Sequence, residues 1–244
     1  MPSATFRIWR GEGGDGAFRD YRTEVSEGMV VLDAVHRIQA EQAPDLACRW
    51  NCKAGKCGSC SAEINGRPRL MCMTRLSTLP LEEPVTVEPL RTFRPIRDLV
   101  TDVAWNYRVK ERIAPFEPKP TDGDGWRMAQ RDIDRIQEFR KCIECYLCQD
   151  VCHVLREHGL HDEFVGPRFL VHIAALEMHP LDVEDRVPAL KEDFGIGYCN
   201  ITKCCTSVCP EHITITDNAI IPLKERVVDR FFDPLALLRR AFGR

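Results

Sequence analysis

Thirteen cysteines are the residues of this chain whose type and spacing most clearly indicate chemistry. Cysteines at this density can form disulfides, hold zinc or ligate iron–sulfur clusters. The cysteine count is odd and no apolar secretory leader opens the sequence, which disfavours the disulfide framework of a small secreted domain. We therefore expect a reducing compartment and thiolates that bind metal.

The first group of cysteines has the C-x4-C-x2-C-x11-C spacing of a plant-type [2Fe–2S] site. Its four predicted ligands are Cys52, Cys57, Cys60 and Cys72. Gly55 and Gly58 would let the backbone curl closely around the cluster, so that loop amides can point at the sulfides. Lys53, Lys56 and Arg49 would offset its negative charge. A zinc knuckle is the alternative, although zinc sites usually pair two C-x2-C arms at a distance.

The second group lies in CIECYLCQDVC, which has the spacing C-x2-C-x2-C-x3-C. In two-cluster ferredoxins the fourth cysteine of such a run ligates the other cluster. By that rule one [4Fe–4S] cluster is held by Cys142, Cys145, Cys148 and Cys209. Cys152 then joins Cys199 and Cys205 at a second centre. Loss of these clusters is expected to unfold the C-terminal half.

The second centre lacks a fourth cysteine. In CNITKCCTSVCP the position three residues after Cys199 is Thr202, where a ferredoxin would have another ligand. Three thiolates fit a [3Fe–4S] cluster, so we predict a three-iron centre here. Cys204 leaves an alternative open, because as a fourth ligand it would give [4Fe–4S]. Otherwise Cys204 is a small packed residue, and the same holds for Cys48.

Sequence periodicity differs between the two halves and predicts an α+β protein with domains 1–105 and 106–244. In the first half, TFRIWR, Tyr21–Val25, a hairpin at Asn65-Gly66 and VTVEPL as the last strand predict a small sheet. The stretch VVLDAVHRIQAEQ predicts a helix that crosses it. Helical spacing also runs through IRDLVTDVAWNY. After a Pro/Gly/Asp-rich loop, helices are predicted in RMAQRDIDRIQEF, PRFLVHIAALEM and LKERVVDRFF.

The order of these motifs resembles the iron–sulfur subunit of succinate dehydrogenase and fumarate reductase. CGSCSAEINGRPRLMC is similar to the [2Fe–2S] segment of that family, and DEFVGPRFL to its link between clusters. The resemblance implies a β-grasp, plant-type ferredoxin domain followed by a mostly helical, bacterial-ferredoxin-like domain. It also implies electron transfer from FAD on a succinate-oxidising flavoprotein, through the [2Fe–2S], [4Fe–4S] and [3Fe–4S] clusters, to a quinone.

The residues expected near the quinone differ from those of many ubiquinone-reducing members. Such members have proline and tryptophans after the fourth cysteine of the first run, and a histidine after the position of Cys199. This chain has His153 and Asn200 instead. The resemblance therefore implies menaquinone, with these two residues near its pocket. Alternatively, His153 packs in the core or behind the site and does not contact the quinone.

Composition limits the partners and the location. A net charge of -3 gives no reason to expect nucleic acid, and no apolar run reaches the ~20 residues of a membrane helix. With the resemblance, we expect a peripheral protein at the cytoplasmic face of the bacterial cell membrane. Its partners would be the flavoprotein and a hydrophobic membrane anchor, whose haem content stays open.

Three other functions remain as alternatives at this stage. The chain could be a soluble multi-cluster carrier that serves another dehydrogenase, or a fumarate reductase subunit that works in the reverse direction. A zinc-stabilised interaction module is the non-redox alternative.

The basic segment from Lys224 to Arg244, rich in Phe and Leu, could lie on a membrane surface or form a solvated helix.

Overall fold

The structure is a computed structural model that describes residues 3–120 and 126–234. Contacts divide the chain into two compact units. One consists of Met1–Ala104 and Ile143–Val151, and the other of Trp105–Cys142 and the chain from Cys152 onward. The domain limits 1–105 and 106–244 stay a prediction. The end of the basic C-terminal segment, beyond residue 234, lies outside the described residues.

The first unit is built on a mixed sheet. Its strands are β1 (Ser3–Glu12), β2 (Asp15–Glu24), β3 (Ser61–Ile64), β4 (Arg67–Leu70), β5 (Val85–Glu88), β6 (Pro95–Arg97) and β7 (Val100–Thr101). In the described part of the chain they form one seven-stranded sheet in the order β4-β3-β5-β1-β6-β7, with β2 also paired to β1. β1 runs antiparallel to β2 and parallel to β5.

The core of this unit follows the predicted periodicities. The strand predicted in TFRIWR is confirmed as part of β1, where Phe6 and Ile8 lie on one side and are both fully buried. The predicted helix is confirmed as α1 (Val31–Glu41), whose apolar residues recur every three or four positions and are buried. The predicted hairpin is confirmed between β3 and β4, where Asn65 and Gly66 have φ of 49° and 69°. Positive φ at both central residues is what a type I′ turn requires.

The helix predicted across IRDLVTDVAWNY is wrong in its first half, and VTVEPL is not the last strand. Strands β6 and β7 form there, and α2 (Ala104–Glu111) begins only after them. The cause is Asp98, a buried residue with φ of 48°. Its carboxylate accepts the N–H groups of Gly11 at 3.0 Å and Ala47 at 2.8 Å, and pairs with Arg10 at 3.0 Å. These long-range bonds outweigh the local helical preference.

The second unit is mostly helical. In chain order the remaining helices are α3 (Gln130–Ile136), α4 (Leu147–Asp150), α5 (His153–Arg156), α6 (Pro167–Glu177), α7 (Val187–Glu192), α8 (Cys204–Ser207) and α9 (Ile221–Phe231), of which α4 lies in the first unit. The helices predicted in RMAQRDIDRIQEF, PRFLVHIAALEM and LKERVVDRFF are confirmed as α3, α6 and α9. A π-helical turn, Ile215–Ile220, leads into α9.

The predicted α+β fold class is confirmed by the sheet of one unit and the helices of the other. Within residues 3–120 and 126–234, no helix combines the length and the apolarity needed to cross a membrane.

Candidate iron–sulfur cluster sites

The loop that follows Cys52 curls tightly around its sulfur. Gly55 and Gly58 have φ of 68° and 67°, a region that glycine enters without steric cost, and this tight curl is what their predicted role requires. The curl brings the backbone N–H groups of Ala54 and Lys56 to 3.3 Å from Cys52 Sγ. Donors directed at a sulfur stabilise its thiolate and tune a bound metal centre.

The start of α1 positions the segment that carries Cys72. The Val31 N–H donates to the Thr74 carbonyl at 2.9 Å, and the Leu32 N–H donates to the Met71 carbonyl at 3.2 Å. The first amides of a helix have no partner within it. Because the residues around Cys72 supply these partners, the helix start and the fourth predicted [2Fe–2S] ligand hold each other in place.

The sulfurs of the first group interact with one another. Burial, together with the neighbouring Cys72 and Cys57, raises the pKa of Cys60 to about 12. Burial also acts to raise the pKa of Cys57, but hydrogen bonds with Ser59 and Cys52 outweigh it and lower the value to about 6. Metal ligation requires the thiolate. The positive charge of iron would therefore stabilise the ionised form of buried Cys60.

Another segment of the first unit, carrying Cys145 and Cys148, packs against this loop. A Cβ atom at Gly58 would lie 2.7 Å from Cys145 Cα and 2.9 Å from the Ile143 carbonyl oxygen. The Ser61 hydroxyl, at the start of β3, donates to the Cys145 carbonyl at 2.8 Å. The first unit therefore brings the predicted [2Fe–2S] ligands next to two of the predicted [4Fe–4S] ligands.

Buried hydrogen bonds hold α4, which contains Cys148. Asp150 and Thr92 are both buried. The Thr92 N–H donates to Asp150 Oδ1 at 3.0 Å, and the Thr92 hydroxyl donates to the Asp150 carbonyl at 3.1 Å. Neither contact was predicted, because nothing in the sequence relates the residues after β5 to a short helix so far along the chain.

The other two predicted [4Fe–4S] ligands, Cys142 and Cys209, belong to the second unit and are close to each other there. Cys142 directly follows a 3-10 helix. Glu138 of that helix accepts hydrogen bonds from the Thr214 N–H at 2.7 Å and from Asn218 Nδ2 at 2.6 Å, shortly after Cys209. Burial raises the pKa of Cys209, and Cys142 raises it further.

The predicted [3Fe–4S] ligands line one pocket of the second unit, with about 310 Å³ of empty space that is partly open to solvent. Its walls include the predicted ligands and both residues predicted for the quinone: Cys152, Cys199, Cys205, His153 and Asn200. Thr202 and Cys204 also line it. Every residue that the sequence associates with this centre is therefore found around one pocket.

Cys152 and Cys205 form the buried side of this pocket. Burial, reinforced by Cys204, raises the pKa of each to about 11. Cys205 Sγ lies 3.4 Å from Thr216 Oγ1, and the Thr216 N–H donates to Thr206 Oγ1 at 3.0 Å. Thr216, in the π-helical turn, is a pocket residue that the sequence did not indicate.

The candidate ligands fit iron–sulfur clusters, because they are cysteine thiols and backbone N–H groups point at the sulfurs of Cys52 and Cys209. Among the described residues, no group of three or more His, Cys, Asp or Glu side chains is arranged around a single metal ion. A multi-iron cluster does not need that arrangement, since each of its irons takes its own thiolate ligands.

Two family models match the chain. One is described as a 2Fe-2S iron-sulfur cluster binding domain and covers residues 5–107. The other is described as a 4Fe-4S dicluster domain and covers residues 138–213. The two kinds of ferredoxin domain predicted from cysteine spacing are thereby confirmed.

Named relatives match most of the chain. The fumarate reductase iron-sulfur subunit of Mycobacterium tuberculosis is 32% identical over 206 residues, which are 80% of each protein. The succinate dehydrogenase iron-sulfur subunit of Paracoccus denitrificans is 28% identical over 207 residues, 83% of this chain and 78% of that protein. A chain of the Mycobacterium smegmatis Sdh1 complex in the apo form is 61% identical, with a TM-score of 0.92 over 96% of this chain and 98% of that chain.

Proposed function

Because the chain belongs to the family of iron–sulfur subunits of succinate dehydrogenase and fumarate reductase, we propose that it connects a FAD-containing flavoprotein to a quinone through three clusters. Members of this family are electron-transfer subunits of an oxidoreductase complex. The bound clusters would supply one-electron steps between a two-electron donor and the quinone. The observation that carries the proposal is the pocket in which three predicted ligands and both predicted quinone residues meet.

The proposed ligands follow the cysteine spacing. The [2Fe–2S] cluster is held by Cys52, Cys57, Cys60 and Cys72; the [4Fe–4S] cluster by Cys142, Cys145, Cys148 and Cys209; the [3Fe–4S] cluster by Cys152, Cys199 and Cys205. The position of Thr202 in the wall of the third site supports a cluster that lacks one iron, because a hydroxyl replaces the thiolate that a fourth iron would take.

Substitution of Thr202 by cysteine tests this ligand count. We expect Thr202→Cys to replace the three-iron EPR signal of the oxidised protein by that of a reduced four-iron cluster, because the variant supplies the missing thiolate. Ser207→Cys is the matched control, since Ser207 is exposed and is not among the pocket residues. An unchanged three-iron signal in Thr202→Cys would contradict the ligand assignment.

Exposed apolar side chains on both units support the proposal that this chain binds two partner subunits. Met73 is 58% exposed and packs beside Gly55 in the [2Fe–2S] loop, while Trp50 is 49% exposed. Ile201 lines the pocket of the proposed [3Fe–4S] cluster and is 39% exposed, and Tyr198, three residues earlier in the chain, is 50% exposed. Exposed apolar side chains beside a functional site can belong to an interaction surface. We assign the first pair to the flavoprotein and the second to a membrane anchor, which would place the chain at the cytoplasmic face of the bacterial cell membrane.

The quinone is proposed to be menaquinone, held near His153 and Asn200. In His153→Leu we expect the KM for a menaquinone analogue to rise roughly fivefold, the effect of losing one hydrogen bond of about 1 kcal/mol, with unchanged cluster EPR signals. His179→Leu is the control, because that histidine belongs to the same unit and is not among the pocket residues. Turnover of the wild-type complex with ubiquinone analogues alone would reject the menaquinone assignment.

A soluble carrier is the second candidate, and purification separates the two. The proposed subunit co-purifies with a flavoprotein and one or two hydrophobic proteins, whereas a free carrier purifies alone. A fumarate reductase would use the same cluster ligands, with electrons flowing in the reverse direction. One similar protein is named a fumarate reductase subunit.

A further inference from the structure

Four cysteines, and not three, surround the pocket of the proposed [3Fe–4S] cluster, because Cys204 lines it together with the three proposed ligands. The Thr202 hydroxyl donates a hydrogen bond to Cys204 Sγ at 3.3 Å. The Cys204 sulfur therefore lies beside the residue that occupies the position of the missing ligand. In the proposed ligand assignment, Thr202 and Cys204 therefore lie at the corner where the three-iron cluster lacks its fourth iron.

The helix α8 explains how neighbouring cysteines can serve different irons. Cys204 and Cys205 are its first two residues, and successive helical residues project about 100° apart. Cys205 is buried, while Cys204 is only half-buried. Cys205 therefore occupies the inner wall of the pocket, and Cys204 stands on the side that solvent and a metal ion can reach.

The turn before α8 keeps Cys204 in this position. Ile201 and Lys203 both have φ of 62°, a conformation that costs non-glycine residues about 1–3 kcal/mol and needs support from its surroundings. Lys203 Nζ pairs with Asp217 Oδ1 at 2.7 Å, on the π-helical turn. This contact ties the turn to the same element that places Thr216 against Cys205.

We propose that Cys204 is a reserve ligand with which the pocket takes up a ferrous ion, converting the three-iron cluster into a four-iron cluster. The inference rests on the proposed function. One electron from a low-potential reductant takes the core from [3Fe–4S]⁺ to [3Fe–4S]⁰. Fe²⁺ then enters to give [4Fe–4S]²⁺, and the Cys204 thiol loses its proton to solvent as its sulfur–iron bond forms. A one-electron oxidant such as ferricyanide reverses the conversion by taking one electron; the sulfur–iron bond breaks, Fe²⁺ leaves, and the Cys204 thiolate takes a proton from solvent.

This conversion would make the last cluster sensitive to iron supply. Cluster type is one of the determinants of reduction potential. The centre next to the proposed quinone pocket would therefore change its potential when ferrous iron and reductant are abundant, and return to the three-iron form on oxidation.

The test uses the purified complex, incubated without oxygen with iron-57 ferrous salt and dithionite and then desalted. EPR of the mildly reoxidised sample and Mössbauer spectra of the added iron are recorded. Wild type should lose most of its three-iron signal and gain about one iron-57 per complex, the amount that the conversion requires. Cys48→Ala is the matched control and should behave like wild type, because Cys48 is a half-buried cysteine of the first unit.

Cys204→Ala should keep its three-iron signal and gain no iron-57 in the Mössbauer spectrum. The [2Fe–2S] signal of the same sample reports that the variant is assembled. Uptake of iron by Cys204→Ala equal to that of wild type would overturn the inference, as would a wild-type signal that iron leaves unchanged. Absence of a three-iron signal from both proteins before iron is added would instead reject the cluster assignment of the proposed function, and the inference with it.

Discussion

Gly58→Ala is expected to destabilise the first unit by about 2–5 kcal/mol and to lower its [2Fe–2S] content. Alanine at φ of 67° costs about 1–2 kcal/mol in the left-handed region. The added Cβ would also lie 2.7 Å from Cys145 Cα, and such overpacking costs about 1–3 kcal/mol. The two nearest atoms, Cys145 Cα and the Ile143 carbonyl oxygen, belong to backbone that cannot rotate away. The loop must therefore separate from the segment that carries two proposed [4Fe–4S] ligands.

The measurement is the iron content and the EPR intensity of the reduced [2Fe–2S] cluster per protein, together with the midpoint of thermal unfolding. Gly66→Ala is the matched control, since Gly66 has φ of 69° and nothing within 4 Å of an added Cβ. It should show only the backbone cost of about 1–2 kcal/mol and normal cluster content. Equal behaviour of the two variants would contradict the role assigned to the contact with Cys145.

Arg186→Met is expected to destabilise the second unit by about 3–5 kcal/mol, the cost of leaving a buried charge without its partner. Arg186 is 2% exposed, and its guanidinium pairs with the buried side chain of Asp182 at 3.0 Å. The same guanidinium donates to the carbonyls of Ala114, Pro115 and Glu184. Loss of this cation removes these four interactions and leaves the Asp182 carboxylate buried.

Thermal unfolding of the cluster-loaded complex measures this effect, with an expected decrease in the midpoint of roughly 10 °C. Arg230→Met is the control, because its 2.8 Å pair with Asp185 is nearly half exposed on both sides and should contribute only about 0–1 kcal/mol. The double variant Arg186→Met/Asp182→Asn should recover part of the loss. If Arg186→Met unfolds at the wild-type temperature, the buried pair does not stabilise this unit.

The features that the sequence predicted correctly are those set by short-range rules. The hairpin at Asn65-Gly66 follows from the positive φ that its turn requires, and α1 follows from one apolar face. The cysteine spacing predicted two kinds of ferredoxin domain for a related reason, since a cluster in such a domain takes most of its ligands from one short run of cysteines.

The features that the sequence did not predict depend on contacts between residues far apart in the chain. Asp98 interrupts the helical pattern around it because its carboxylate binds the backbone near Gly11 and Ala47. Ser61 bonds to Cys145, and Thr216 approaches Cys205. No local pattern marks serine or threonine for such contacts, since both are common in turns and strands that bind nothing.

Redox-titrated EPR spectroscopy of the purified complex tests the central claim most directly, because it counts the clusters and identifies their types in one experiment. We predict three distinct paramagnetic centres: a [2Fe–2S] and a [4Fe–4S] cluster that give signals when reduced, and a [3Fe–4S] cluster that gives its signal when oxidised. Fewer than three centres, or zinc in place of iron in the same preparation, would contradict the assignment of eleven cysteines to three clusters.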